Sequence, residues 1–101
     1  MGKGGAVMEL QDRSVFVPGC RVQHFRRETA DLTENPMMYL YEIVGIAEDT
    51  ETGGELMVYR ALYGSGKLYA RPLEMFLSPV DRDKYPDIHQ TWRFMPADPS
   101  I

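Results

Sequence analysis

The clearest local pattern of apolar and polar positions lies over residues 56–71, where two apolar-aromatic runs flank Gly64-Ser65-Gly66. Two such runs joined by a short glycine-containing loop predict a β-hairpin. With residues 64–66 as the loop, Tyr63 faces Lys67, Ala61 faces Tyr69 and Tyr59 faces Arg71. Side chains alternate across a strand, so Tyr59, Ala61, Tyr63, Lys67, Tyr69 and Arg71 share one face. Leu56, Val58, Arg60, Leu62, Leu68 and Ala70 share the other. The second face is apolar except for Arg60, which makes it the expected core side. The first is amphipathic. Its tyrosines read either as rings half-covered by another segment with their hydroxyls in water, or as an exposed aromatic-basic platform.

The same pattern predicts three further strands. Residues 20–25 alternate, with Val22 and His24 on one face and Arg21, Gln23 and Phe25 on the other. Residues 39–47 are apolar on both faces apart from Glu42, as expected of a central strand covered on two sides. Across the sheet, Glu42 is placed to neutralise Arg60. Residues 91–95 alternate again and read as a closing strand whose aromatics, Trp92 and Phe94, plug the core. Between these, residues 15–19 suggest a short extended piece ending in a Pro-Gly turn. Residues 26–38 form a polar insertion with a helical knuckle, where Asp31 and Glu34 have capping-box spacing and Pro36 stops any helix. Residues 49–54 are an acidic turn. Pro72 opens a helical turn with Glu74 near its positive end and Leu73, Phe76 and Leu77 on one side, sealing an end of the sheet. Residues 81–86 form a second short helical or turn segment.

The chain thus reads as a flexible leader over residues 1–14, a single mainly β domain over residues 15–95, and a tail over residues 96–101. At 101 residues it holds one domain with a modest core. A hydrophobic share of 44% and a charged share of 26% suit a soluble globular domain. The net charge of −4 weighs against a nonspecific nucleic-acid binder, whose surface is normally basic. One cysteine, Cys20, leaves no internal disulfide and fits a reducing, cytoplasmic setting. No apolar run has the length of a membrane span, so no membrane association is expected.

Residues 39–47, the block Val58-Tyr59-Arg60-Ala61-Leu62-Tyr63-Gly64 and the block Ala70-Arg71-Pro72-Leu73-Glu74-Met75-Phe76 resemble, in this order and spacing, a bacterial domain-of-unknown-function family, number 1653. The resemblance runs from about residue 19 to residue 94. Relative to shorter members, this chain carries the longer insertion at residues 26–38 and an extension at residues 81–88. The resemblance implies an SH3-like small β-barrel or roll, in agreement with about five short antiparallel strands and one or two helical turns. It implies no catalytic residues.

The chemistry is sparse. His24 and His89 belong to no recognisable motif, and Cys20 is about 13 Å from His24 along an extended strand (~3.3 Å per residue). One cysteine and two distant histidines make a poor zinc set, and the glycines lack the helix and lysine of a phosphate loop. Neither a metal nor a cofactor is expected. The candidate contact residues are Tyr59, Tyr63, Lys67, Tyr69 and Arg71 on the hairpin face, with His24, Arg60 and Glu74 beside them. Arg60, Arg71 and Glu74 read first as a structural ion-pair network and only second as part of a site. The favoured function is a non-enzymatic binding module contacting a peptide or protein through this face. A nucleic-acid-associated module would use the same face. Third stands an enzyme for an anionic small molecule, built on Arg71, Glu74 and His24.

Overall fold

In the computed structural model, which describes residues 9–98, the chain forms five strands: β1 (Arg21–His24), β2 (Leu40–Glu48), β3 (Glu55–Ala61), β4 (Leu68–Pro72) and β5 (Phe94–Pro96). A one-turn helix, α1 (Leu73–Phe76), follows β4, and 3₁₀ turns occupy Arg13–Val15 and Phe25–Thr29. All five strands join one open antiparallel sheet in the order β4-β3-β2-β1-β5. The fold is mainly β, as the strand pattern requires.

The sheet is open by hydrogen bonding yet strongly curled. Neighbouring strands lie about 4.8 Å apart, so the outer strands β4 and β5 would be roughly 19 Å apart if the sheet were flat. Instead the guanidinium of Arg71 on β4 sits 5.9 Å from the ring centre of Phe94 on β5, and the Tyr59 ring is 5.2 Å from it. The two edges therefore turn toward each other over the concave side.

That concave side is the core. Val22, Tyr41, Ile43, Met57, Tyr59, Ala61 and Phe94 line it, closed off by Phe16, Leu73, Phe76 and Leu77. Phe76 and Phe94 stack 4.2 Å apart at 10°. The cluster of Leu73, Phe76 and Leu77 seals the end of the sheet as their spacing predicts. Pro72, however, is both the last strand residue and the helix N-cap, one step before the first helical position.

The hairpin departs from the sequence reading in an instructive way. Its loop spans residues 62–67 rather than three residues, closed by the Ala61 N–H donating to the Lys67 carbonyl at 2.9 Å. Gly64 and Gly66 both take left-handed backbone angles there (φ 60° and 71°), which glycine adopts without steric cost. The register is accordingly displaced by two: Tyr59 faces Tyr69 and Met57 faces Arg71. A shift of two preserves which residues share a face. The expected core side is nonetheless wrong. Met57, Tyr59 and Ala61 are 0%, 4% and 3% exposed, whereas Leu68 on the opposite face is 62% exposed and Ala70 is also exposed. Large rings that interlock with Phe76 and Phe94 bury more area than the aliphatic side chains opposite them.

Strand β2 is covered on two sides only in part. Leu40, Tyr41 and Ile43 are buried, but Val44, at a bulge between Ile43 and Gly45, and Ile46 beyond it are exposed. Glu42 does pair with Arg60 across the sheet, at 2.7 Å and in solvent. The closing strand begins at Phe94, so Phe94 fills the core while Trp92, bridged to Pro79, is half-buried. Asp31 does not cap a helix: its carboxylate accepts the Thr33 N–H within a turn. Residues 1–8 and 99–101, parts of the expected leader and tail, lie outside the described residues. Within the rest of the leader, Gln11 is hydrogen-bonded to Leu77 and Phe94, and Arg13 forms an ion pair with Glu55.

Candidate functional site

Where the two edges of the curled sheet approach, a cleft of about 230 Å³ opens between them, lined by His24, Arg26, Tyr39, Tyr41, Tyr59, Tyr69, Arg71 and Phe94. Each of the five strands supplies at least one of these side chains. A second compartment of about 210 Å³ adjoins it, sharing His24, Arg26 and Arg71 and adding Phe25, Asp81, Lys84, Tyr85 and Arg93. The first compartment is mainly aromatic and the second mainly cationic.

The aromatic floor is interlocked. Tyr41 contacts Tyr59, Tyr63, Tyr69 and Phe94 at ring-centre distances of 5.3, 5.6, 6.3 and 5.7 Å, all edge-on. The Tyr41 and Tyr63 hydroxyls share a hydrogen bond of 2.7 Å. Burial pushes both phenols above their ordinary range, most strongly Tyr41, so neither is an acid near neutrality. Tyr39 and Tyr69 are the more accessible walls. Tyr39 stands at the mouth with a left-handed backbone (φ 63°), uncommon for a bulky residue.

Three arginines converge on this region, and each is oriented by a neutral hydroxyl. Arg71 donates from Nε to the Tyr59 hydroxyl (3.2 Å), Arg26 from Nη2 to the Tyr85 hydroxyl (2.8 Å), and Arg93 from Nε to Ser78 Oγ (3.3 Å). Among the described residues, none of the three forms an ion pair with a carboxylate, in contrast to Arg13 with Glu55 and Arg60 with Glu42. Arg93 is held below its ordinary pKa by burial and by the neighbouring Arg71 charge.

His24 sits between the compartments and reports the same field. Burial, then the charges of Arg71, Arg26 and Arg93, lower its pKa to about 3, so the ring is neutral at physiological pH. Its Nδ1 accepts the Arg26 backbone N–H at 3.0 Å, which puts the ring proton on Nε2. Phe94 meets the ring edge-on at 4.9 Å. Beneath the second compartment, Glu28 accepts the His89 and Gln90 N–H groups at 2.7 and 2.8 Å, which pins the segment after Tyr85 to the 3₁₀ turn.

Of the residues singled out from sequence, the structure gathers Tyr59, Tyr69, Arg71 and His24 in one cleft. Tyr63 lies behind them against Tyr41, and with Lys67 it lines a separate hollow at the hairpin loop. Arg60 points to the outer face and is neutralised by Glu42. Glu74 lines a hollow with Gly53, Gly54 and Glu55, so the constellation of Arg71, Glu74 and His24 is not assembled, nor is Arg71 in an ion pair with Glu74. The sequence reading missed Arg26, Arg93, Tyr39 and Tyr41. Tyr41 alternates in phase with Ile43 on a strand already identified, and that was the available signal; nothing local marked the two arginines. Among the described residues, no three His, Cys, Asp or Glu side chains group to hold a metal ion, and no helix is long and apolar enough to cross a membrane.

A family model described as Protein of unknown function (DUF1653) matches residues 20–96. No curated protein and no solved structure matches the chain. The matched span covers all five strands and both compartments, and the chain belongs to that family.

Proposed function

We propose that this member of the DUF1653 family is a non-enzymatic binding module whose contact surface is the seam cleft, with an anionic segment of a peptide or protein as partner. The observation that carries this is the trio of arginines, Arg26, Arg71 and Arg93, held by hydroxyls and not by carboxylates beside accessible Tyr39 and Tyr69. Guanidinium groups prepositioned without a counter-ion offer their remaining N–H donors to a ligand. An SH3-like barrel belongs to the same reading and rests on the curled sheet, a four-stranded meander with β5 returning to β1, and on the helical turn between β4 and β5. So does a cytoplasmic setting, which rests on the single cysteine. The nucleic-acid alternative uses the same aromatics and cations.

Amide-resolved NMR titration with pools of acidic, neutral and basic peptides tests the reading. Acidic pools are expected to shift the signals of His24, Tyr39, Tyr69 and Arg71, with little response from Arg60 and Val58. Shifts confined to the outer face, or none with any pool, would overturn it. Tighter binding of single-stranded oligonucleotides, weakening steeply with salt, would transfer the cleft to the nucleic-acid reading.

A further inference from the structure

We infer that the compartment bounded by Arg26, Arg71 and Arg93 is a site for a phosphate monoester, with the ring or chain bearing it lying in the adjoining aromatic compartment. This rests on the binding-module reading and narrows it to one chemistry.

The distribution of charge selects that chemistry. The protein is acidic overall, at −4, and its other arginines of known contact are occupied. Arg13 and Arg60 are paired with Glu55 and Glu42, while Arg27 and Arg82 donate to backbone carbonyls. Arg26, Arg71 and Arg93, held by hydroxyls and not by carboxylates, gather around His24, where Lys84 also lines the wall. A polynucleotide backbone needs a track of phosphate contacts; a single concentrated patch fits one compact, multiply charged group. A phosphate monoester presents close to two negative charges and three strong acceptor oxygens, which matches three guanidinium forks.

Their arrangement leaves donors available. Arg71 and Arg93 each use Nε on a hydroxyl, and Arg26 uses Nη2, so further N–H groups remain on all three. Asp81 is the one carboxylate in the wall, and its Oδ1 accepts the Asp83 and Lys84 backbone N–H groups, turning that oxygen toward its own turn. Three like charges gathered around a buried imidazole repel one another, and a bound dianion relieves that repulsion.

The experiment is calorimetric titration of the full chain at fixed low salt with five probes: phenyl phosphate, a short tyrosine-phosphorylated peptide, the same peptide unphosphorylated, adenosine monophosphate and inorganic phosphate. The phosphorylated peptide is expected to bind at least ~10-fold tighter than its parent, since each charge-assisted hydrogen bond contributes on the order of tenfold. Its affinity should fall roughly tenfold from pH 7.5 to pH 5, as the ester takes up its second proton near pH 6. Arg71→Gln and Arg93→Gln should each weaken it about tenfold, with Arg60→Gln unchanged and circular dichroism confirming the fold. Adenosine monophosphate matching the phosphopeptide would support the site and assign a nucleotide source. Equal binding of the two peptides would overturn the phosphate site while leaving the module. Acidic peptides that shift the cleft while none of the phosphates binds would do the same. Silence from every probe and every peptide pool would remove both.

Discussion

Arg60 and Arg71 lie on adjacent strands of one hairpin, yet they occupy opposite electrostatic settings. Arg60 faces outward, half-exposed, against the carboxylate of Glu42 at 2.7 Å. Arg71 faces inward, over the Phe94 ring, with a phenol as its hydrogen-bond partner. The outer face of β3 and β4 is a solvated surface with its charges cancelled. The inner face carries the core at one end and concentrated positive charge at the other. Strand alternation alone separates these settings, so the difference is one of position and not of residue type.

The largest expected effect tests where the stability lies. Phe94→Ala should cost about 3–5 kcal/mol, because the ring is buried and stacked on Phe76. The melting temperature should then fall by more than about 10 °C, while Val58→Ala on the outer face should stay within about 1 kcal/mol. Comparable losses at both positions would erase the contrast between the faces.

An intermediate effect comes from pH. The folded-state pKa of His24 is lowered to about 3, below its ordinary value of 6.5. The unfolded chain therefore binds the proton that the folded one refuses. The contribution is fully present above about pH 6.5 and is lost as pH falls toward 3, with a slope approaching about 1.4 kcal/mol per pH unit. Denaturation between pH 6.5 and pH 5, above the ordinary carboxylate range, should show this slope, and His24→Gln should flatten it. A wild-type stability that is level over that interval would mean that neither burial nor the inner-face charges lower the affinity of the ring for its proton.

The smallest effect belongs to the outer pair. A double-mutant cycle on Glu42 and Arg60 should give only about 0.2–1 kcal/mol, shrinking as salt is raised. A coupling several times larger would make the outer face a structural network after all.

Much of this architecture was legible because strand periodicity survives errors of register. The hairpin loop is longer than the sequence predicts, but the resulting displacement is even, so Tyr59, Tyr69 and Arg71 still fall on one face. Which face lies inward was misread because counting apolar residues favours Leu56, Val58 and Leu68 over tyrosines. Ring area and interlocking decide it instead, through contacts with Phe76 and Phe94 that are distant in sequence. Half of the cleft was illegible for a related reason. Arg26 follows His24 by two residues in a 3₁₀ turn, and Arg93 precedes Phe94, which pairs with His24 across the sheet, so the pairing of β5 with β1 is what joins the two arginines.

Because every strand lends a side chain to the cleft, no shorter stretch of the chain contains it. Its wall Phe94 stands on β5, which rests on β1 alone within the sheet. A molecule lodged there would touch residues from His24 to Phe94 at once, and so would favour the folded state over the unfolded one by mass action.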